Sequence, residues 1–226
     1  DAGFMDASLA VSRERAAELE ALFRAKSDMP DVTAEWRASE TLSGDSALSA
    51  LSLARAVDLV LSAQTDPAHK SAAVANIDHL LFETGRPALF VPYTGPVKTE
   101  FRKVLVAWSG TRESSRAVFD ALPFIQKAET TEILTVDAPD MGNTQPETAG
   151  AEIAAAVARH GARVTVTSER SGGIDVTSVI ENHVAETGAD LLVMGAYGHS
   201  RLREFLFGGV TRTVLQSMPV ATFMSR

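Results

Sequence analysis

The sequence contains no cysteine, which excludes disulfides, thiolate zinc sites and a thiol nucleophile together. Long hydrophobic runs are missing too. The longest, such as Leu191–Ala196, reach about six residues, where a bilayer span needs about 20. No basic-then-apolar leader opens the chain, so nothing suggests secretion and a cytoplasmic location is expected. Positive charge is in deficit: 21 Lys and Arg face 29 Asp and Glu, a net charge of −8. That balance argues against a general binder of nucleic-acid backbone. Five histidines are present, His69, His79, His160, His183 and His199, and no pair has metal-ligand spacing such as HExxH. What remains is an ordinary globular composition, 45% apolar and 22% charged, over 226 residues, a natural fit to two compact domains. The first residue is Asp1 rather than Met, so the length is expected to describe part of a protein.

The chain repeats itself. Val57-Asp58-Leu59-Val60-Leu61 matches Ala189-Asp190-Leu191-Leu192-Val193, and Arg86–Val91 matches Met218–Phe223. Asp58 precedes Pro87 by the same 29 residues as Asp190 precedes Pro219. Upstream, helical patterns begin at Ala17 and Ala151, each followed by a β-prone run, Thr33–Ala38 and Arg163–Thr167. Tandem duplication explains two similar halves in the same order better than chance does. Boundaries at 1–97 and 98–226 follow.

The second half alternates strands and helices. Lys103–Trp108 is an apolar run of buried-strand type, and Ser109-Gly110-Thr111 supplies a turn and a helix N-cap. Ala117, Val118, Ala121, Leu122 and Ile125 follow at helical spacing. Strands are expected at 132–136, 163–167, 190–194 and 219–224, with helices near 147–160, 175–187 and 209–217. Such alternation implies a parallel sheet covered on both faces. The first half matches only from its second helix onward. Two strands and a helix that the repeat demands, about 45 residues, are absent. Either residues before Asp1 or another chain is therefore expected to complete that sheet.

The informative stretch is Leu191–Arg201, continuing through Phe207–Arg212. Two glycines three apart follow a buried strand, and two more open a helix. Glycine lets backbone approach a ligand closely, and consecutive amides before a helix N-terminus can cradle phosphate oxygens. Thr211 adds a hydroxyl, and Arg201, Arg203 and Arg212 against Glu204 make the segment locally positive. Glycines at such places also serve turns alone. The pattern is neither a Walker A loop nor a G-x-G-x-x-G fingerprint.

The G-x2-G-x9-G spacing of Gly195, Gly198 and Gly208 resembles that of the universal stress protein family. Ala189–Gly195, the closing Pro219-Val220 strand and the opening Val104–Ala107 with its Ser-Gly-Thr turn resemble it as well. The likeness covers residues 102–226, and residues 16–93 as a degenerate copy. It implies two tandem Rossmann-like α/β domains, related to the adenine nucleotide alpha hydrolases. The second would carry a parallel sheet in the order 3-2-1-4-5, with its ligand outside the C-terminal ends of strands 1 and 4. It also implies an ATP or AMP site, with Mg only alongside the nucleotide. Phosphates would meet Gly195, Gly198, Gly208, Gly209, Val210 and Thr211; apart from the resemblance, His199 follows Gly198 and could donate to phosphate, although a loop histidine is more often solvated. The nucleoside would meet Ala107, Trp108, Ser109 and the strand end at Val136 and Asp137.

Two positions depart from the pattern. Nucleotide-binding members usually carry Asp where this chain has Ser109, and Ser or Thr where it has Gly209. In the first half the positions matching Gly195, Gly198 and Gly208 are Ala63, Asp66 and Asn76. An aspartate aimed at phosphate repels it, so no nucleotide is expected there. The resemblance further implies that the last strands of the halves pair antiparallel, as a pseudo-dimer within the chain, and leaves room for a homodimer. No catalytic constellation is evident. Three readings stand: a stress-response protein binding an adenine nucleotide in its second domain; a nucleotide-free interaction module with a structural glycine loop; and a slow ATP hydrolase.

Overall fold

A computed structural model describes residues 2–39, 47–64, 77–96, 98–138, 149–197 and 209–226. The chain divides into two units, Asp1–Leu42 and Ser43–Arg226. The smaller holds one helix, α1 (Ala2–Ser27), rich in alanine and charge. Glu20 and Arg24 pair one turn apart at 2.5 Å, and Phe23 packs on Trp36 with ring centroids 5.6 Å apart. The helix begins well before Ala17. The β-prone run Thr33–Ala38 forms no strand. A strand needs a partner ladder, and this unit has no other strand among its described residues. Instead Glu35 and Arg37 pair with each other in solvent.

The larger unit begins with α2 (Ala47–Ala54), β1 (Val60–Ala63), α3 (Ile77–Glu83) and β2 (Ala88–Val91). Then come β3 (Lys103–Ala107), α4 (Arg112–Asp120), the short α5 (Leu122–Ile125), β4 (Thr130–Val136), α6 (Ala151–Arg159) and β5 (Val164–Glu169). The chain continues through α7 (Val176–Thr187), β6 (Leu191–Gly195), α8 (Val210–Ser217) and β7 (Ala221–Ser225). Among the described residues the seven strands join one sheet, in the order β1-β2-β7-β6-β3-β4-β5. Every neighbouring pair is parallel except β2 and β7, which run antiparallel with Ala88 opposite Met224 and Phe90 opposite Thr222.

Alternation along the strands sends residues to two cores. Leu105, Leu134, Leu192, Met194 and Phe90 lie on one face with Ile180 and Val184 of α7 and Val214 and Leu215 of α8. Val104, Val106, Ile133, Leu191, Val193 and Phe223 lie on the other, with Ala117 and Val118 of α4, Ile125 of α5 and Val157 of α6. A parallel sheet needs this double cover because its strands are apolar on both faces.

Helix starts follow local chemistry. Thr111 caps α4, its hydroxyl accepting from Ser114 N, while the Ser114 side chain returns to the Thr111 amide. Asp175 caps α7 by accepting from Ser178 N at 3.0 Å. Gln64, just past β1, donates to the carbonyls of Leu215 (3.2 Å) and Gln216 (2.8 Å) at the end of α8. That side chain ties the two sides of the β2–β7 seam together.

Candidate functional site

From β3 the chain moves outward through β4 to β5, then returns to β3's other side with β6. The sheet therefore has a topological switch between β3 and β6, and open α/β sheets bind ligands outside the strand ends at such a point. Ala107 pairs with Met194 there, and Gly195 is the next residue.

Gly195 has a packing reason for lacking a side chain. A Cβ there would stand 2.4 Å from Ser114 N and 2.6 Å from the Glu113 carbonyl carbon, so the first turn of α4 lies directly against it. Beyond it Ala196 N donates to Ser225 O at 2.9 Å. Tyr197 then adopts φ +56°, a left-handed conformation uncommon for a bulky residue. Its amide donates to Thr211 Oγ1 at 3.1 Å, and its ring lies on Phe82 of α3 with centroids 4.6 Å apart. Thr211 is buried on the first turn of α8, where Gly209 is the N-cap and offers no side-chain acceptor. Val210 packs on the α7 side of the core.

On the other side of the switch, Trp108 N donates to Leu134 O at 2.8 Å, and its ring packs among the Val104 and Val106 core. Ser109 Oγ lies 3.1 Å from Thr111 Oγ1, so its hydroxyl is engaged at the α4 cap. Val136 ends β4 half-buried against the opposite core. Asp137 follows at φ +49°, donating its amide to Glu169 O and accepting from Ser171 N at 2.9 Å. The Ser171 hydrogen bonds hold its carboxyl below the usual aspartate range.

The structure brings Ala107, Trp108, Ser109, Gly195, Gly209, Val210 and Thr211 to one end of neighbouring strands, with Val136 one strand further. Gly198, His199 and Gly208, and Arg201 and Arg203 with them, lie outside the described residues, as do Asp66 and Asn76. Among the described residues, no three His, Asp or Glu side chains are placed to hold a metal ion.

Sequence reasoning missed several groups. Glu113 is almost fully buried on the first turn of α4, with Arg112 Nε 2.6 Å from its carboxylate. Burial pushes its carboxyl up, but the Arg112 hydrogen bond and charge, the local backbone and Thr111 outweigh that and hold it low. His183, only 7% exposed, sits between Glu169 (Nδ1 to Oε1, 2.6 Å) and Glu132 (Nε2 to Oε1, 3.1 Å). Its only sequence signal is a position on the apolar face of α7, which is where a histidine becomes buried. Phe82 gives no signal at all, because its contact with Tyr197 depends on the β2–β7 pairing.

The fold is a doubly wound α/β sheet whose switch point meets a glycine-opened helix. The sequence model of the universal stress protein family matches residues 100–226, and the chain belongs to that family. No curated protein gives a significant match. Among solved structures, a universal stress protein from Archaeoglobus fulgidus is similar over 98% of this chain and 77% of its own, at 18% identity and TM-score 0.68. One from Pseudomonas aeruginosa is similar over 93% of this chain and 77% of its own, at 15% identity and TM-score 0.57. A family member from Arabidopsis thaliana, solved with AMP bound, covers 53% of this chain and 87% of its own, at 16% identity and TM-score 0.40.

Proposed function

We propose that this chain is a cytoplasmic stress-response protein built from tandem universal stress protein domains, binding one adenine nucleotide, ATP or AMP, in its second domain. The observation that carries this reading is the convergence at the β3–β6 switch. There Gly209 and Thr211 open α8 beside the end of β6, and the strand end at Ala107–Ser109 lies across from them. A helix N-terminus without a side-chain cap offers its first amides to an anion. Gly198, His199 and Gly208 would extend that cradle, and Val136 with Asp137 would border the ribose and base. Mg would enter only with the nucleotide phosphates.

Gln64 supports a single site. It stands in the first half where the second has Ala196, and its amide is spent on Leu215, Gln216 and the Tyr93 amide. The pairing of β2 with β7 is what a pseudo-dimer of two such domains requires. The test is a pair of variants read by equilibrium dialysis against ATP. Gly198→Val fills the phosphate space and should abolish binding, while Ala63→Val, at the matching first-half position, should leave it intact. Equal loss from both would refute the assignment to the second domain. One species of released nucleotide, persisting for hours in the pure protein, is expected; conversion of ATP would favour the hydrolase reading.

A further inference from the structure

We infer that Phe82, on the first-half helix α3, is a positioning residue for the second half's glycine loop, setting the conformation of Tyr197 where the chain enters it. The inference rests on the nucleotide reading above for its functional consequence, though not for its geometry. It begins from the topology. Because β2 runs antiparallel to β7, with Ala88 opposite Met224, the α3–β2 connection arrives beside the C-terminal end of β7. Ser225 at that end is in register with Gly195 of β6. The single antiparallel seam thus delivers the end of α3 to the rim of the switch point.

Phe82 uses that position. Its ring meets the Tyr197 ring at 4.6 Å with the planes tilted by 32°, within the centroid range of attractive aromatic pairs. The Arg226 guanidinium also lies on the Phe82 ring, 4.0 Å from its centroid, a cation–π contact at the end of β7. Tyr197 needs such support. A left-handed conformation at a bulky residue persists only where the surroundings over-determine it, and such residues gather at ligand sites. Contacts on both its backbone and its ring bear on it here: the Thr211 hydroxyl from α8 accepts its amide, and Phe82 lies against its ring. Thr211 holds the backbone from within the second half. Phe82 holds the side chain from the first. A half that has lost its own glycine pattern thereby acquires a task at its neighbour's site.

The test combines Phe82→Ala with Phe82→Tyr, which keeps the ring. Three quantities are read on the intact chain: the Tyr197 ring proton shifts by NMR, assigned with Tyr197→Phe, ATP affinity, and thermal midpoint. Loss of the ring contact should move the Tyr197 ring resonances and weaken ATP binding about tenfold, with Phe82→Tyr restoring both. A merely structural role would lower the midpoint without these two changes. Unmoved Tyr197 resonances in Phe82→Ala overturn the inference, as does unchanged ATP affinity where the wild type binds. Should Phe82→Ala fail to fold, Phe82→Leu takes its place under the same criteria. If the wild type binds no ATP, the nucleotide reading fails, and the Tyr197 resonances still decide whether Phe82 sets that residue.

Discussion

Asp58 and Asp190 occupy matching positions 132 residues apart and have opposite surroundings. Asp190 is buried at the start of β6 and accepts from the amides of Arg102 (3.0 Å) and Lys103 (3.1 Å), and from Lys98 Nζ. Asp58 is fully exposed and pairs with Arg86 at 3.2 Å. The difference is that Asp190 anchors the start of β3, and no described strand lies beside β1 in the same way. Burial pushes the Asp190 carboxyl up, but the hydrogen bonds from Lys98, Lys103 and Arg102, with the Lys98 charge, outweigh it and hold it below the usual aspartate range. A depressed folded-state pKa contributes stability that is present above the unfolded value near 3.9 and lost as pH falls through the lower folded value. Asp190→Ala should therefore cost about 2–3 kcal/mol near neutral pH, with the deficit shrinking in acid. Asp58→Ala should change stability by less than about 0.5 kcal/mol. Urea titrations at pH 7 and pH 3 measure both. Equal costs for the two variants would contradict the argument.

At the scale of elements, the strands and helices of residues 103–225 were legible because each carries its own signal. Lys103–Ala107 and Leu191–Gly195 are apolar runs of the kind that a doubly covered sheet buries, and 132–136 is a shorter β-prone segment beside them. Thr111 and Asp175 mark helix starts by chemistry that acts within three residues. The Thr33–Ala38 run misled because β propensity has meaning only beside a partner strand. Part of the candidate site's place in the fold was legible on the same terms: a glycine at a strand end and a threonine on a first helical turn mark the β3–β6 switch. The pressure of α4 on Gly195 was not, since it comes from a helix 81 residues earlier in the chain. That contact makes its own prediction. Gly195→Ala drives a methyl into the backbone of Glu113 and Ser114, and should cost about 3 kcal/mol, read by denaturant unfolding. A neutral substitution would mean that Gly195 is retained for a ligand and not for α4.

Across the whole molecule, the seven-stranded sheet is unevenly covered. Leu61 of β1 is 67% exposed, whereas Val193, its counterpart on β6, is fully buried. Val193 belongs to the core that includes Ala117 and Val118 of α4, and no described helix does the same for Leu61. Leu61→Ser should change stability by less than about 0.5 kcal/mol, while Val193→Ala should cost about 2 kcal/mol. The seam between β2 and β7 is the feature with the widest consequences. It joins the two halves in one sheet, lets Gln64 reach α8, and brings Phe82 to Tyr197. None of those contacts is visible in a local pattern, because each spans more than 100 residues. Only the family resemblance, laid over the repeat, suggested which strands meet. The proposed function places one adenine-nucleotide site per chain, at the β3–β6 switch. The stoichiometry of ATP binding, measured by titration calorimetry on the purified chain, tests it most directly. One site per chain is the predicted result. Two sites, or no heat at millimolar ATP in nucleotide-free protein, would contradict it.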